Sequence, residues 1–114
     1  MERRKYPRYF VGLEIEIKGA DGSFPLRCAT TDVSLGGCYV ATIFPLAVGL
    51  QVLFTMRVAD EIVKGRGSVQ TCHPSVGMGI RFIDLSDVDR HRLAEFFRTL
   101  EPASSESSLQ SYLR

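Results

Sequence analysis

Arg4 and Arg8, four residues apart near the start of the chain, carry permanently charged planar forks. Such a fork can clamp a phosphate, grip the O6/N7 edge of guanine, or stack on a base. Side chains at this spacing share a face in a helix or a strand, so both can serve one ligand. Between them, Pro7 removes a backbone donor and biases Tyr6 towards an extended conformation, which argues against a helix. In an extended arm the two Cα atoms lie about 13 Å apart, a span suited to two parts of a nucleotide-sized molecule. Taken alone, RxxxR reads more readily as a solvated basic tail.

A second candidate is Asp32-x-Ser34-x-x-Gly37. At a strand end, positions two apart point the same way, so Asp32 and Ser34 are expected on one side. A carboxylate accepts two parallel hydrogen bonds, matching the adjacent N–H donors on the base-pairing edge of guanine, and a serine hydroxyl adds one more. Gly36 and Gly37 are expected to take the positive φ values of a tight return and to let a ligand approach the backbone. An ordinary Asx or Ser turn explains the same residues when they stand alone. Gly77-x-Gly79 interrupts an otherwise apolar strand. It is expected to mark a bulge that helps close a sheet, with ligand contact at Gly77 and Gly79 a secondary reading.

Other reactive residues form no such pattern. His73 and His91 are isolated, and neither sits in an HExxH frame. Cys28, Cys38 and Cys72 are odd in number and lack CxxC spacing. They read as free thiols behaving as small hydrophobes in the core or barrel wall, within a reducing, cytoplasmic setting. No catalytic residue, metal site or cofactor is expected.

The elements that must position these residues follow from periodicity. Val11, Leu13, Ile15 and Ile17 alternate with polar or small residues, as in a half-buried strand. A turn at 20–23 leads into a partner strand from Phe24 to Asp32, and Gly36-Gly37 precedes a third from Cys38 to Ile43. Leu50, Val52, Phe54, Met56 and Val58 alternate again, a strand follows from Ile62 to Cys72, and a last one covers Gly77–Phe82. Six strands with short connections predict a mostly β fold, a six-stranded antiparallel barrel whose closure leaves no exposed edge. The period then changes. Leu93, Phe96, Phe97 and Leu100 line one face of a C-terminal helix over 87–100, capped by Ser86 or Asp87 and ended by Pro102.

The chain divides into a flexible basic arm (1–9), the barrel with its helix (10–101), and a serine-rich tail (102–114) expected to be disordered. With 114 residues, one domain with a real core is expected. A net charge of +1 gives no global field for nucleic acid or an anionic membrane. No apolar run reaches the roughly 18 residues of a membrane span, and no signal peptide is apparent.

The joint pattern RRKYPR, DVSLGG and GMGIRF, in this order and followed by an amphipathic helix, resembles the PilZ family. The resemblance implies a six-stranded antiparallel barrel with a C-terminal helix, and a bacterial receptor for the second messenger cyclic di-GMP. By position, Arg4 and Arg8 look like the arginines that contact phosphate and guanine. Asp32 and Ser34 look like the polar pair that reads guanine, and Gly37 like the turn glycine. Arg3, just before the motif, is similar to an arginine that accompanies binding of two stacked messenger molecules. The resemblance also implies a stand-alone adaptor that changes conformation, signals to an unidentified protein effector, and acts in motility, adhesion or biofilm regulation. Two alternatives stay open: a PilZ-like module that works by protein contacts without ligand, and an OB-like barrel that binds single-stranded nucleic acid. The small net charge and the lack of a basic-aromatic platform weigh against the second, so no DNA or RNA partner is expected.

Overall fold

The computed structural model describes residues 6–100; the expected tail, Arg3 and Arg4 lie outside them. Six strands occur in chain order: β1 (Glu14–Gly19), β2 (Leu26–Val33), β3 (Gly37–Ala41), β4 (Gln51–Val58), β5 (Glu61–His73) and β6 (Gly77–Leu85). One helix, α1 (Asp87–Phe97), follows. Every neighbouring pair is antiparallel, and the order β1-β2-β3-β6-β5-β4 closes into a barrel. Closure satisfies the backbone groups that an open edge would leave unpaired.

Alternation drives the packing. Val52, Phe54, Met56 and Val58 of β4 are buried, as are Ile15 and Ile17 of β1 and Val63 and Val69 of β5. They point inward with Val33, Cys38, Val40, Met78 and Ile80 into one continuous core. The first strand is shorter than the alternation from Val11 predicts. Thr30 is the reason: its hydroxyl donates to the Val11 carbonyl at 2.7 Å and accepts from the Leu13 N–H at 2.8 Å. A side chain thus replaces ladder bonds ahead of Glu14. The second strand begins at Leu26 rather than Phe24, which stands 91% exposed and precedes Pro25, a residue without a backbone donor.

The helix closes the barrel end that holds the β2–β3 turn. Ser86 caps it, its hydroxyl accepting from Asp89 N at 3.1 Å. Its regular part stops at Phe97, and tighter bonds such as Leu100 N to the Phe97 carbonyl continue the chain to Leu100. Leu93 and Phe97 are buried, while Phe96 and Leu100 pack partly against the core, and His91 is exposed. Arg92 fastens the helix to the start of β5, reaching Glu61 at 2.9 Å and donating to the Ile62 carbonyl at 3.2 Å.

Cys38 lies in the core. Burial pushes its thiol pKa far up, and the nearby Asp32 and Cys28 add to the shift. Burial also raises Cys28. Because the thiolate is the reactive form, Cys38 should stay unmodified by iodoacetamide at pH 8 until the chain is unfolded, as read by peptide mass mapping. Phe97→Ala removes a buried ring from the barrel end and should lower stability by about 3–5 kcal/mol in urea unfolding.

Candidate functional site

Two backbone hydrogen bonds of 2.9 Å join Tyr9 and Val33, each residue donating to the other's carbonyl. The Tyr9 ring also stacks on Phe97 with centroids 4.3 Å apart. The front segment is therefore tied to the last residue of β2 and to the helix by Tyr9. One residue earlier, Arg8 Nε lies 3.6 Å from Asp32 Oδ1. That is ion-pair range but too long for a hydrogen bond. Arg8 Nε is itself buried and has no hydrogen-bond partner among the described residues. Such a donor costs about 1–3 kcal/mol until an acceptor reaches it.

Asp32 is positioned by β2, where Thr31 forms a bulge: Thr30 pairs with Val40, and Asp32 with Tyr39. The extra residue turns Asp32 outward, and its carboxylate accepts from the Thr31 hydroxyl at 3.2 Å. Ser34 behaves differently. Its side chain is buried in the turn, accepting from Gly36 N at 3.0 Å and lying 3.4 Å from the Gly37 carbonyl, while its own N–H donates to that carbonyl at 2.8 Å. Ser34 thus holds the turn that carries Asp32.

The expected positive φ at Gly36 and Gly37 is not found; among the described residues, the glycines with positive φ are Gly22 and Gly49. Close packing explains both positions. A Cβ on Gly37 would stand 2.2 Å from the Ile80 carbonyl of β6, and one on Gly36 would stand 3.0 Å from the Tyr6 ring. The bulge expected at Gly77-x-Gly79 lies on the partner strand: Gln70 of β5 is the extra residue between the Val69–Ile80 and Thr71–Gly79 pairs. The Thr71 hydroxyl accepts from Gly79 N at 3.1 Å, supplying part of the interrupted ladder.

These residues surround a cavity of about 650 Å³ on the outer wall of β2, β3, β6 and β5. That volume lies within the usual range of small-molecule sites, about 300–1,000 Å³. Arg8, Asp32, Ser34, Gly36, Gly37 and Gly79 all line it; Gly77 does not. Tyr6, Tyr39, Gln70, Thr71 and Arg81 also line it, and none of them was singled out by motif. Each is an outward residue of a strand or arm, which in sequence looks like any solvated face. The signal that could have found Tyr39 and Arg81 is register, since Tyr39 pairs with Asp32, and Arg81 pairs with Gly37.

The arrangement offers a guanidinium, a second cation at Arg81, an acidic acceptor and aromatic rings around one hollow. Among the described residues, no group of three or more His, Cys, Asp or Glu could hold a metal, and no helix is long and apolar enough to cross a membrane.

Several solved structures share the fold. The PilZ domain of YcgR from Escherichia coli with c-di-GMP superposes with a TM-score of 0.71 at 20% identity, covering 87% of this chain and 92% of that one. YcgR from the same organism in complex with c-di-GMP gives 0.72 at 20% identity, covering 100% and 52%. The Bacillus subtilis inhibitor of motility, MotI/DgrA, gives 0.70 at 17% identity, covering 84% and 49%. The chain spans about half the length of the last two. At these identities the likeness is one of fold. A search of curated proteins found no match. The family model described as "PilZ domain" matches residues 2–99, and on that coverage the chain belongs to the PilZ domain family.

Proposed function

We propose that this chain is a receptor for cyclic di-GMP, held between the RxxxR arm and the DxSxxG turn in the cavity on the barrel wall. One observation carries the reading. Arg8 and Asp32, remote in sequence, meet at 3.6 Å in the lining of a single hollow, with the arginine's Nε lacking a hydrogen-bond partner among the described residues. A phosphate oxygen or a guanine O6/N7 edge supplies the acceptor that this donor lacks. Asp32 presents carboxylate oxygens to the N–H donors of a guanine edge. Two solved relatives by fold are complexes with c-di-GMP, and family membership supports the same ligand class.

In this reading Arg4 extends the grip of Arg8 along the arm, and Arg3 favours a pair of stacked messenger molecules. Ser34, Gly36 and Gly37 contribute by shaping the turn, with Gly79 as a secondary wall residue. The arm ahead of Pro7 closes over the ligand, and its ordered form is the surface offered to a protein effector. Charge-assisted bonds to two phosphates offset the entropy lost on closure. The reading makes the chain a binding module rather than an enzyme.

Calorimetric titration with cyclic di-GMP tests the residue roles. Arg4→Ala and Arg8→Ala should each weaken binding by about 1.5–3 kcal/mol. Asp32→Ala should reduce preference for guanine over adenine in the cyclic dinucleotide as well as affinity. Parent-like affinity in Arg4→Ala would remove Arg4 from the site. Amide exchange tests the closure. Because Tyr9 N is already bonded to Val33, its protection should stay constant, while Tyr6 and the residues before it should slow on ligand addition. Unchanged exchange at Tyr6 contradicts the closing arm.

A further inference from the structure

The cavity wall carries one aromatic side chain fixed in an unusual way. Tyr39 stands on the outward face of β3, paired with Asp32 on one side and with Gly79 on the other, and Gly79 pairs in turn with Thr71. These four residues form one row across β2, β3, β6 and β5. The Tyr39 ring lies against the strand beyond it: a Cβ on Gly77 would come within 2.6 Å of Tyr39 Cε1, and one on Gly79 within 3.7 Å of Cδ2. At its far end, Tyr39 Oη and His73 Nδ1 share a hydrogen bond of 2.8 Å, and the two rings lie 5.8 Å apart at a tilt. The ring is thus seated on a bare glycine track and tied at its tip, and it lines the cavity.

A side chain fixed in this way has little rotamer freedom left to lose when a ligand arrives. With one face on the glycine track, the opposite face is left to the hollow. We infer that Tyr39 is a binding residue whose free ring face stacks one purine base of the ligand, with His73, Gly77 and Gly79 as positioning residues. Directly opposed residues of neighbouring strands have Cβ atoms about 5 Å apart. A base stacked on Tyr39 therefore has its edge within reach of the Asp32 carboxylate. Stacking holds the plane of the base, and the carboxylate reads its edge. The inference rests on the proposed cyclic di-GMP site and assigns it a residue that the arginine and DxSxxG motifs leave out.

The test is titration of the parent chain, Tyr39→Phe and Tyr39→Leu with cyclic di-GMP, alongside the NMR signals of the Tyr39 ring in the parent. Tyr39→Phe keeps the ring but loses the tie to His73, and should bind more weakly than the parent and more tightly than Tyr39→Leu. Tyr39→Leu keeps apolar cover without a π face and should bind about 10-fold more weakly or worse. In the parent, the Tyr39 ring protons should move upfield on saturation, a shift that a purely structural tyrosine would not show. Equal affinity in Tyr39→Leu and the parent overturns the inference while leaving the ligand assignment standing. Absence of binding by the parent itself overturns both. Should Tyr39→Leu fail to fold, the ring shift decides: an upfield move supports stacking, and unmoved signals overturn it.

Discussion

The mutual hydrogen bonds between Tyr9 and Val33 determine where Arg8 lies. They hold the front segment at the end of β2, and the stacking of Tyr9 on Phe97 secures it from the other side. The next residue outward, Arg8, is thereby delivered to Asp32. Without this attachment, a basic arm of the same composition would sample a wide volume and contribute little more than a diffuse positive field. A local tether converts charge into geometry.

Around that tether, each neighbour has a part set by packing. The turn from Ser34 to Gly37 is closed by its own hydrogen bonds and pressed against β6 so tightly that Gly37 has no room for a side chain. Thr31 adds a residue to β2 and so turns Asp32 outward. Gln70 does the same on β5, opposite Gly79. The two bulges flank the hollow, which fits the general use of bulges to re-aim side chains near functional sites. The core beneath is plain alternation, and its regularity is what lets the wall above it deviate.

Much of this was legible from residue order. Alternation in Val52–Val58 and the helical spacing of Leu93, Phe96 and Phe97 follow directly from the burial of one face. Six strands with short connections led to the closed barrel found here. The limits were equally physical. Thr30 borrows ladder bonds through its hydroxyl, so the alternation from Val11 overran the real start of β1. Gly36 and Gly37 looked like positive-φ residues, yet their role is close approach, which depends on Tyr6 and Ile80, residues remote in sequence. The polarity of Ser34 points to the cavity that it lines, whereas its bonds within the turn depend on a backbone path that local sequence does not show. Tyr39, Gln70, Thr71 and Arg81 carry no local signal, because which outward residues share a patch is fixed by register and bulges, and neither is written in local sequence.

In the proposed function, a cyclic guanine dinucleotide occupies the hollow between Arg8 and the β2–β3 turn. A crystal structure of the chain grown with cyclic di-GMP tests it most directly. Ligand density is expected against the outer wall of β2, β3 and β6, with Arg8 bonded to a phosphate or a guanine edge and Asp32 to the N–H groups of a base. Ligand bound elsewhere on the barrel, with the Arg8–Asp32 pair untouched, would contradict it.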